Sequence, residues 1–270
     1  MALILTCLAE AELRARLQNA LSLDGAGGVA HTLEHTPVRN GVRSVILQRA
    51  PALLVFDPSD PAGRAPDEWI ALLAGFPSTA AVAYLARDAG AAGLAAQLTR
   101  QGVHAVVTHP VGDSPPQLRA VLLDALATSL TERVAARLAP EIAPALRGDF
   151  RRLLAAARQP LGTQQMARLC HCSERTLHRR LLEAALPPPH HLAVWLRLVH
   201  AAHLLDDPDR TIENVALALE FASVNALRNQ LVRYVGRSPG ELRKAGALEG
   251  VLAAFNEERA ALRCRMARSV

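Results

Sequence analysis

The chain has 270 residues, of which 50% are hydrophobic and 20% are charged, which excludes a disordered protein and allows two domains of ordinary size. The formal net charge is +5 and uneven: residues 1–140 carry 11 arginines against 12 acidic residues, whereas residues 141–270 carry 19 basic and 13 acidic residues. A basic half favours a polyanionic partner, because each neutralised phosphate releases counterions.

The first 138 residues alternate short apolar runs with helical patterns. Strands are predicted at residues 3–8, 29–33, 52–56, 80–85 and 103–108, and helices at 10–21, 38–48, 67–74, 93–100 and 116–138. Continuous apolar strands that alternate with helices are typical of a parallel sheet covered on both faces. The pattern therefore predicts an α/β domain of five β-α units over residues 1–138.

Residues 139–149 contain two prolines and a glycine, which is typical of a linker. From residue 150 the pattern is entirely helical, with helices predicted at 150–158, 190–205 and 248–266. The prolines at 187–189 prevent a continuous helix before the second of these. We therefore predict an all-α domain at residues 150–245 and a C-terminal helical extension at 246–270.

Two stretches of the all-α domain, residues 164–181 and 212–231, share one pattern. Each has a short helix with a central alanine, a tight turn, a serine, and then an amphipathic helix with basic residues. That is the layout of a helix-turn-helix, whose second helix enters the DNA major groove. The serines, Ser173 and Ser223, can accept a hydrogen bond from a first-turn amide and fix where each second helix starts.

The candidate DNA-binding residues are predicted on the open side of each second helix or at its cap. They are Ser173, Arg175, Thr176, His178, Arg179 and Arg180 in the first unit, and Ser223, Val224, Asn225, Arg228, Asn229 and Arg233 in the second. Arginine can bond guanine and asparagine can bond adenine in a bidentate way, and valine can contact the methyl group of thymine. A generic helical bundle with solvated arginine faces is the alternative for either unit alone.

Residues 150–244 resemble the AraC-type DNA-binding domain, which carries two helix-turn-helix units. The matching residues are Ser173, Leu177, Arg179, Trp195, Leu196, Arg197, Leu198, Ala201, Leu204, Leu205, Ile212, Val215, Ala216, Phe221, Ser223, Gly236, Ser238, Pro239, Leu242 and Arg243. The resemblance implies a transcription regulator that reads two adjacent major-groove segments on one face of DNA. The chain departs from the family pattern at Glu220, where glycine is usual, at Asn229, where arginine is usual, and at Leu181 and Leu231, where phenylalanine is usual.

The five β-α units resemble the receiver domain of response regulators, which has a flavodoxin-like fold. The resemblance makes Asp57 the possible phosphoacceptor, because receivers place this aspartate at the end of the third strand. His109-Pro110 follows 52 residues later, where receivers carry Lys-Pro. The two acids that receivers place at the end of the first strand to bind Mg²⁺ are missing, because Thr6, Cys7 and Leu8 occupy that region.

A carboxylate without the metal or the lysine is a poor phosphoryl acceptor, because the reaction depends on charge stabilisation. We therefore expect a degenerate receiver in which Asp57 caps a strand end. The domain would serve for dimerisation, or it would bind a ligand at the carboxyl ends of the strands. Control by phosphorylation is the alternative.

The four cysteines indicate neither a disulfide framework nor a metal site. Cys170-His171-Cys172 leaves one residue between the cysteines, whereas zinc pairs usually leave two to four, so small thiols buried at a turn are the simpler interpretation. No apolar run is long enough to span a membrane, and residues 1–8 lack the basic segment of a secretion signal. The chain is therefore expected to be cytoplasmic, with reduced thiols.

The sequence as a whole predicts a transcription regulator that is not an enzyme and uses no cofactor and no metal. Its expected partners are double-stranded promoter DNA, a second copy of the chain bound through the N-terminal domain, and RNA polymerase. No membrane partner is expected. The rival hypothesis from another class is an interaction protein that resembles the family but has lost DNA binding.

Overall fold

The computed structural model of the chain describes residues 2–22, 31–36, 41–58, 65–85, 91–138, 140 and 142–267. The chain divides into two compact units, Met1–Ser129 and Leu130–Val270. Residues 29, 30 and 38–40, with which a predicted strand and a predicted helix begin, lie outside the described residues.

The first unit is a five-stranded parallel sheet with intervening helices. Its elements are β1 (Leu3–Cys7), α1 (Ala11–Ser22), β2 (Thr32–His35), α2 (Val42–Arg49), β3 (Leu53–Phe56), α3 (Pro66–Ala74), β4 (Ala80–Leu85), α4 (Ala91–Arg100), β5 (Ala105–Thr108) and α5 (Pro115–Ala127). The strand order is β2-β1-β3-β4-β5, and every neighbouring pair is parallel. This is the flavodoxin-like, doubly wound order, so the predicted fold class is confirmed.

The apolar strands are buried on both faces of the sheet. Successive side chains of a strand point to opposite faces, so Leu53 and Val55 pack with α1 and α5, whereas Leu54 and Phe56 pack with α2, α3 and α4. The ring centroids of Phe56 and Trp69, on β3 and α3, are 4.4 Å apart. Two apolar layers of this kind explain why the strands read as continuous apolar runs.

The single helix predicted over residues 116–138 is wrong, because the chain forms two helices there, α5 and α6 (Leu130–Leu138). At the break, the Thr128 hydroxyl donates to the carbonyl of Ala125 at 2.6 Å, and the amides of Thr128 and Ser129 donate three residues back. Side-chain hydrogen bonds of this kind compete with helix continuation. Helix α6 belongs to the second unit, so the division falls earlier than the predicted domain end at residue 138.

The segment predicted as a linker is largely helical. Helix α7 (Pro144–Ala156) starts within residues 139–149, before the predicted start at residue 150. Pro144 stands at the beginning of the helix, where proline is tolerated because the first-turn amides have no intrahelical partner. Leu146, Phe150 and Leu153 are on the buried side of α7, which packs against α6.

The rest of the second unit is all helical, as predicted. Its elements are α8 (Thr163–Leu169), α9 (Glu174–Glu183), α10 (Pro189–Leu205), α11 (Ile212–Ala218), α12 (Val224–Val235), α13 (Pro239–Ala245) and α14 (Ala247–Ala267). Helix α10 is buried on most sides and packs against α7, α8, α9, α11, α12, α13 and α14. Trp195 on α10 lies 5.4 Å from the rings of both Tyr234 and Phe255, measured between centroids. Among the described residues, no helix is long and apolar enough to cross a membrane.

Candidate nucleic-acid interface

The first helix-turn-helix consists of α8, a turn at residues 170–173, and α9. His171 in the turn adopts a left-handed backbone conformation with φ of 50°, and the amide of Cys172 donates to the carbonyl of Ala167 at 3.0 Å. The Ser173 hydroxyl accepts a hydrogen bond from the Thr176 amide at 3.2 Å. The serine is therefore the N-cap of α9, the local role that the sequence predicts for it.

The two sides of α9 differ as the sequence predicts. Leu177 and Leu181 are buried, whereas Arg175, His178 and Arg179 are exposed. The exposed side of α9 and His190, at the start of α10, both line a groove of about 790 Å³. The nearest carboxylate to Arg179 is that of Glu183, 3.7 Å away, and an exposed pair of this kind is worth little.

Like Ser173, two other predicted contact residues of the first helix-turn-helix are engaged within the protein. The Thr176 hydroxyl lies 2.9 Å from the Ser173 hydroxyl, so it forms part of the helix cap. Arg180 Nη1 lies 3.6 Å from a carboxylate oxygen of Asp149 on α7. Both residues remain at the edge of the exposed face of α9, but neither points freely from it.

In the Cys170-His171-Cys172 turn, Cys170 is buried, Cys172 is half-buried and His171 is exposed. Burial raises the pKa of the Cys170 thiol to about 12, so this cysteine is a neutral thiol in the folded chain. No group of three metal-ligating side chains occurs among the described residues.

The second helix-turn-helix repeats the arrangement with α11 and α12. Thr211 and Asn214 form a capping box at the start of α11, and the Ser223 hydroxyl accepts from the Ala226 amide at 3.0 Å at the start of α12. Between the helices, Glu220 has φ of 54°. The residue that replaces the family's usual glycine therefore adopts the conformation that favours glycine.

The outer side of α12 presents a mixed polar surface. Leu227 and Leu231 are buried, Val224 is half-buried, and the other predicted contact residues, Asn225, Arg228, Asn229 and Arg233, are exposed. Val232 is also exposed, at a position of α12 that corresponds to the exposed Leu182 of α9. The second unit thus offers amide and guanidinium groups with an apolar edge.

Two arginines of the interface region were not identified from the sequence as functional residues. Arg152 on α7 donates from Nε to the Leu169 carbonyl at 3.0 Å, and Arg197 on α10 donates from Nη2 to the carbonyls of Leu219 and Glu220 at 2.5 and 2.7 Å. The only signal for Arg197 is its place in the motif shared with the AraC-type domain, and Arg152 has none.

In the N-terminal compact unit of the chain, Asp57 directly follows β3 at the carboxyl edge of the sheet. Its side chain is buried, with 4% of the residue exposed, and its amide donates to the Cys7 carbonyl at 3.2 Å. The residues in place of the receiver acids, Thr6, Cys7 and Leu8, are buried as well.

His109, which stands at the receiver lysine position, contacts a different carboxylate. Its Nδ1 atom lies 2.7 Å from Asp113 Oδ2, and the Tyr84 hydroxyl donates to the same oxygen at 2.7 Å. Burial would raise the pKa of Asp113, but these two hydrogen bonds and the charge of Arg16 bring it below its usual value. Burial and the Asp113 carboxylate raise the pKa of Tyr84, so its hydroxyl stays a donor.

Residues 166–245 match the family model of a helix-turn-helix domain. The matched stretch begins within α8 and ends with α13, so it contains most of the first helix-turn-helix and all of the second one. This part of the chain is a helix-turn-helix domain, as the sequence motifs predict. No curated protein matches the chain.

Among solved structures, the chain is similar at low identity to NtrX, to FixJ and to the response regulator RcsB. NtrX from Brucella abortus is 21% identical with a TM-score of 0.42 over 63% of this chain and 40% of that one. FixJ from B. japonicum is 16% identical with a TM-score of 0.39 over 71% and 95%, and RcsB from Salmonella typhimurium is 11% identical with a TM-score of 0.39 over 71% and 98%. The chain thus spans well under half the length of NtrX.

Proposed function

We propose that the chain is a transcription regulator that binds specific sites in double-stranded DNA through both helix-turn-helix units. The observation that carries the proposal is the repeated arrangement in one helical body: two serine-capped helices, α9 and α12, each with buried leucines on one side and exposed polar side chains on the other. An arrangement with these features is suited to the major groove, which admits one α-helix at a time.

The two helices offer different chemistry to DNA. Arg175 and Arg179 on α9 are suited to bidentate bonds with guanine, and Asn225 and Asn229 on α12 are suited to adenine. Arg233 lies near the end of α12, where a contact to phosphate would position the helix without reading a base. We therefore expect a bipartite site whose halves differ in base composition.

We also infer that the N-terminal unit is not controlled by phosphorylation of Asp57. The apolar residues at the end of β1 supply no carboxylate for Mg²⁺, and His109 is hydrogen-bonded to Asp113. Its expected role is to bring two copies of the chain together or to sense a signal. RNA polymerase is the expected partner for the regulatory output.

The test is to incubate the full chain with a pool of genomic fragments at two salt concentrations and to sequence the bound DNA. The proposal predicts enrichment of a motif with two blocks about 10 base pairs apart. Weak, unselective retention that is lost at the higher salt would instead support a protein-interaction module. In parallel, a small phosphodonor should label neither the chain nor its Asp57→Asn variant. Labelling of the unsubstituted chain alone would identify Asp57 as a phosphoacceptor and would contradict the inference.

A further inference from the structure

We propose that Arg152 and Arg197 are positioning residues that each fix the turn of one helix-turn-helix, so that either unit can be disabled without the other. The inference rests on the proposed function, because it assigns one arginine to each half of the DNA site. Neither residue belongs to the helix that it would control: Arg152 is on α7 and Arg197 is on α10.

In the second unit, Arg197 binds the end of α11 and the turn that follows. Its Nη2 atom donates to the carbonyls of Leu219 and Glu220, and its guanidinium carbon lies 3.9 Å from the ring centroid of Phe221. The last carbonyls of a helix have no intrahelical partner and carry partial negative charge, so a guanidinium is well suited to them. The contacts thus hold three consecutive residues, Leu219, Glu220 and Phe221, in the turn that leads to the cap of α12.

In the first helix-turn-helix, Arg152 binds the C-terminal end of α8. Its Nε atom donates to the Leu169 carbonyl at 3.0 Å, and its Nη2 atom pairs with Asp149. The second carboxylate oxygen of Asp149 lies 3.6 Å from Arg180 on α9. Arg152 and Asp149 therefore connect α7 to both helices of the first helix-turn-helix, α8 and α9.

Both turns need such support because their left-handed residues are not glycine. His171 and Glu220 have φ of 50° and 54°, a conformation that costs side-chain-bearing residues free energy and persists only when the surroundings enforce it. In each turn the following amide donates five residues back, from Cys172 to Ala167 and from Phe221 to Ala216. The arginines bind carbonyl groups at these same turns, Arg152 that of Leu169 and Arg197 those of Leu219 and Glu220.

The two arginines differ in how firmly they are bound. Arg197 contacts two carbonyls and an aromatic ring and is half-buried, whereas Arg152 contacts one carbonyl and the Asp149 carboxylate and is exposed. Substitution of Arg197 should therefore have the larger effect. Lysine cannot reproduce a planar guanidinium that both donates to the two carbonyls and stacks on Phe221, so Arg197→Lys tests the geometry while it keeps the charge.

The first experiment measures amide hydrogen exchange of the full chain without DNA. In Arg197→Lys, the amides of Glu220 and Phe221 should exchange about tenfold faster, as expected for the loss of one net hydrogen bond, and the amides of His171 and Cys172 should be unchanged. Arg152→Lys should show the opposite pattern. Equal changes in both turns, or none in either, would overturn the proposal.

The second experiment measures affinity for the most enriched genomic fragment and for two versions in which one block is scrambled. Arg197→Lys should bind the intact fragment about 10- to 100-fold more weakly and should no longer distinguish a scrambled second block, while it still rejects a scrambled first block. Arg152→Lys is the matched control: it should no longer distinguish a scrambled first block, while it still rejects a scrambled second block. If Arg197→Lys rejects both scrambled fragments as strongly as the unsubstituted chain does, the proposal is wrong.

The two experiments separate the inference from the proposed function. An unsubstituted chain with no sequence preference would refute the proposed function, and the exchange experiment would still decide whether the arginines fix the turns. Urea unfolding of each variant shows whether a loss of affinity follows global unfolding. A variant that is unfolded as a whole, and not only in its own turn, would also contradict independent control of the two units.

Discussion

Replacement of His200 by glutamine should remove a defined part of the acid sensitivity of the fold. His200 lies on α10 with 7% of its surface exposed, and its Nε2 atom donates to the Leu154 carbonyl at 2.7 Å. Burial lowers the pKa of His200 to about 3, and the nearby Arg158 and His203 act in the same direction. The imidazole is therefore neutral in the folded chain well below the usual pKa of histidine.

The size of the effect follows from linkage between protonation and folding. Below pH 6.5, the usual pKa of histidine, the unfolded chain binds a proton at this position and the folded chain does not. The free energy of unfolding must then fall by about 1.4 kcal/mol for each pH unit until the folded pKa is reached. Between about pH 7 and about pH 4.5, His200 alone should remove about 2.5 kcal/mol.

The assay is urea unfolding of the full chain and of His200→Gln at these two pH values. Glutamine can still donate to the Leu154 carbonyl but does not titrate, so the other histidines and the carboxylates cancel in the comparison. The unsubstituted chain should lose about 2.5 kcal/mol more than the variant on acidification. Equal losses in the two proteins would show that His200 is not buried in a neutral state, and the packing of α10 on α7 would need revision.

Three further substitutions test the interface. Arg179→Ala should weaken binding to the selected DNA site by about 1–3 kcal/mol. Arg263→Ala, which removes the same charge from α14, should weaken only the non-specific binding to DNA. Equal losses of affinity in the two variants would show that Arg179 does not contact a base. Ser223→Ala should lower the free energy of unfolding by about 1 kcal/mol and Ser223→Asn should not, as measured in urea, because asparagine caps helices as well as serine does. Glu220→Val should destabilise the chain by about 1–3 kcal/mol in thermal or urea unfolding, and Glu220→Gly should not, since a branched side chain opposes the positive φ. Similar stability of the two Glu220 variants would contradict the left-handed turn.

Local sequence patterns were sufficient to predict most of the fold. The sheet was predictable because β3 and β4 are buried on both faces, and such strands have continuous apolar sequences. The break between α5 and α6 was not, because Leu126, Leu130, Val134 and Leu138 are all buried and keep a spacing of four residues across it. Periodicity reports which side of a helix is buried but not whether the helix is interrupted.

The candidate interface shows the same limit. The caps at Ser173 and Ser223 could be predicted because a capping hydrogen bond joins residues three positions apart. The contact between Arg197 and Glu220 joins residues 23 positions apart, and the pairing of Arg180 with Asp149 joins two different helices. Contacts of this kind depend on tertiary packing. The sequence therefore predicted Arg180 as a DNA contact and marked Arg197 only as a match to the AraC-type pattern. The assignment of individual residues to base contacts stays a prediction.

The most direct test of the account is depurination interference on the most enriched genomic fragment. Loss of a guanine or an adenine removes the base edge in the major groove that α9 or α12 is expected to contact. The account predicts interfering purines in two clusters about 10 base pairs apart on one face of the duplex, and Arg179→Ala should remove interference in one cluster only. Binding that is insensitive to purine loss, or interference confined to a single cluster in the unsubstituted chain, would contradict the reading of DNA by two helices.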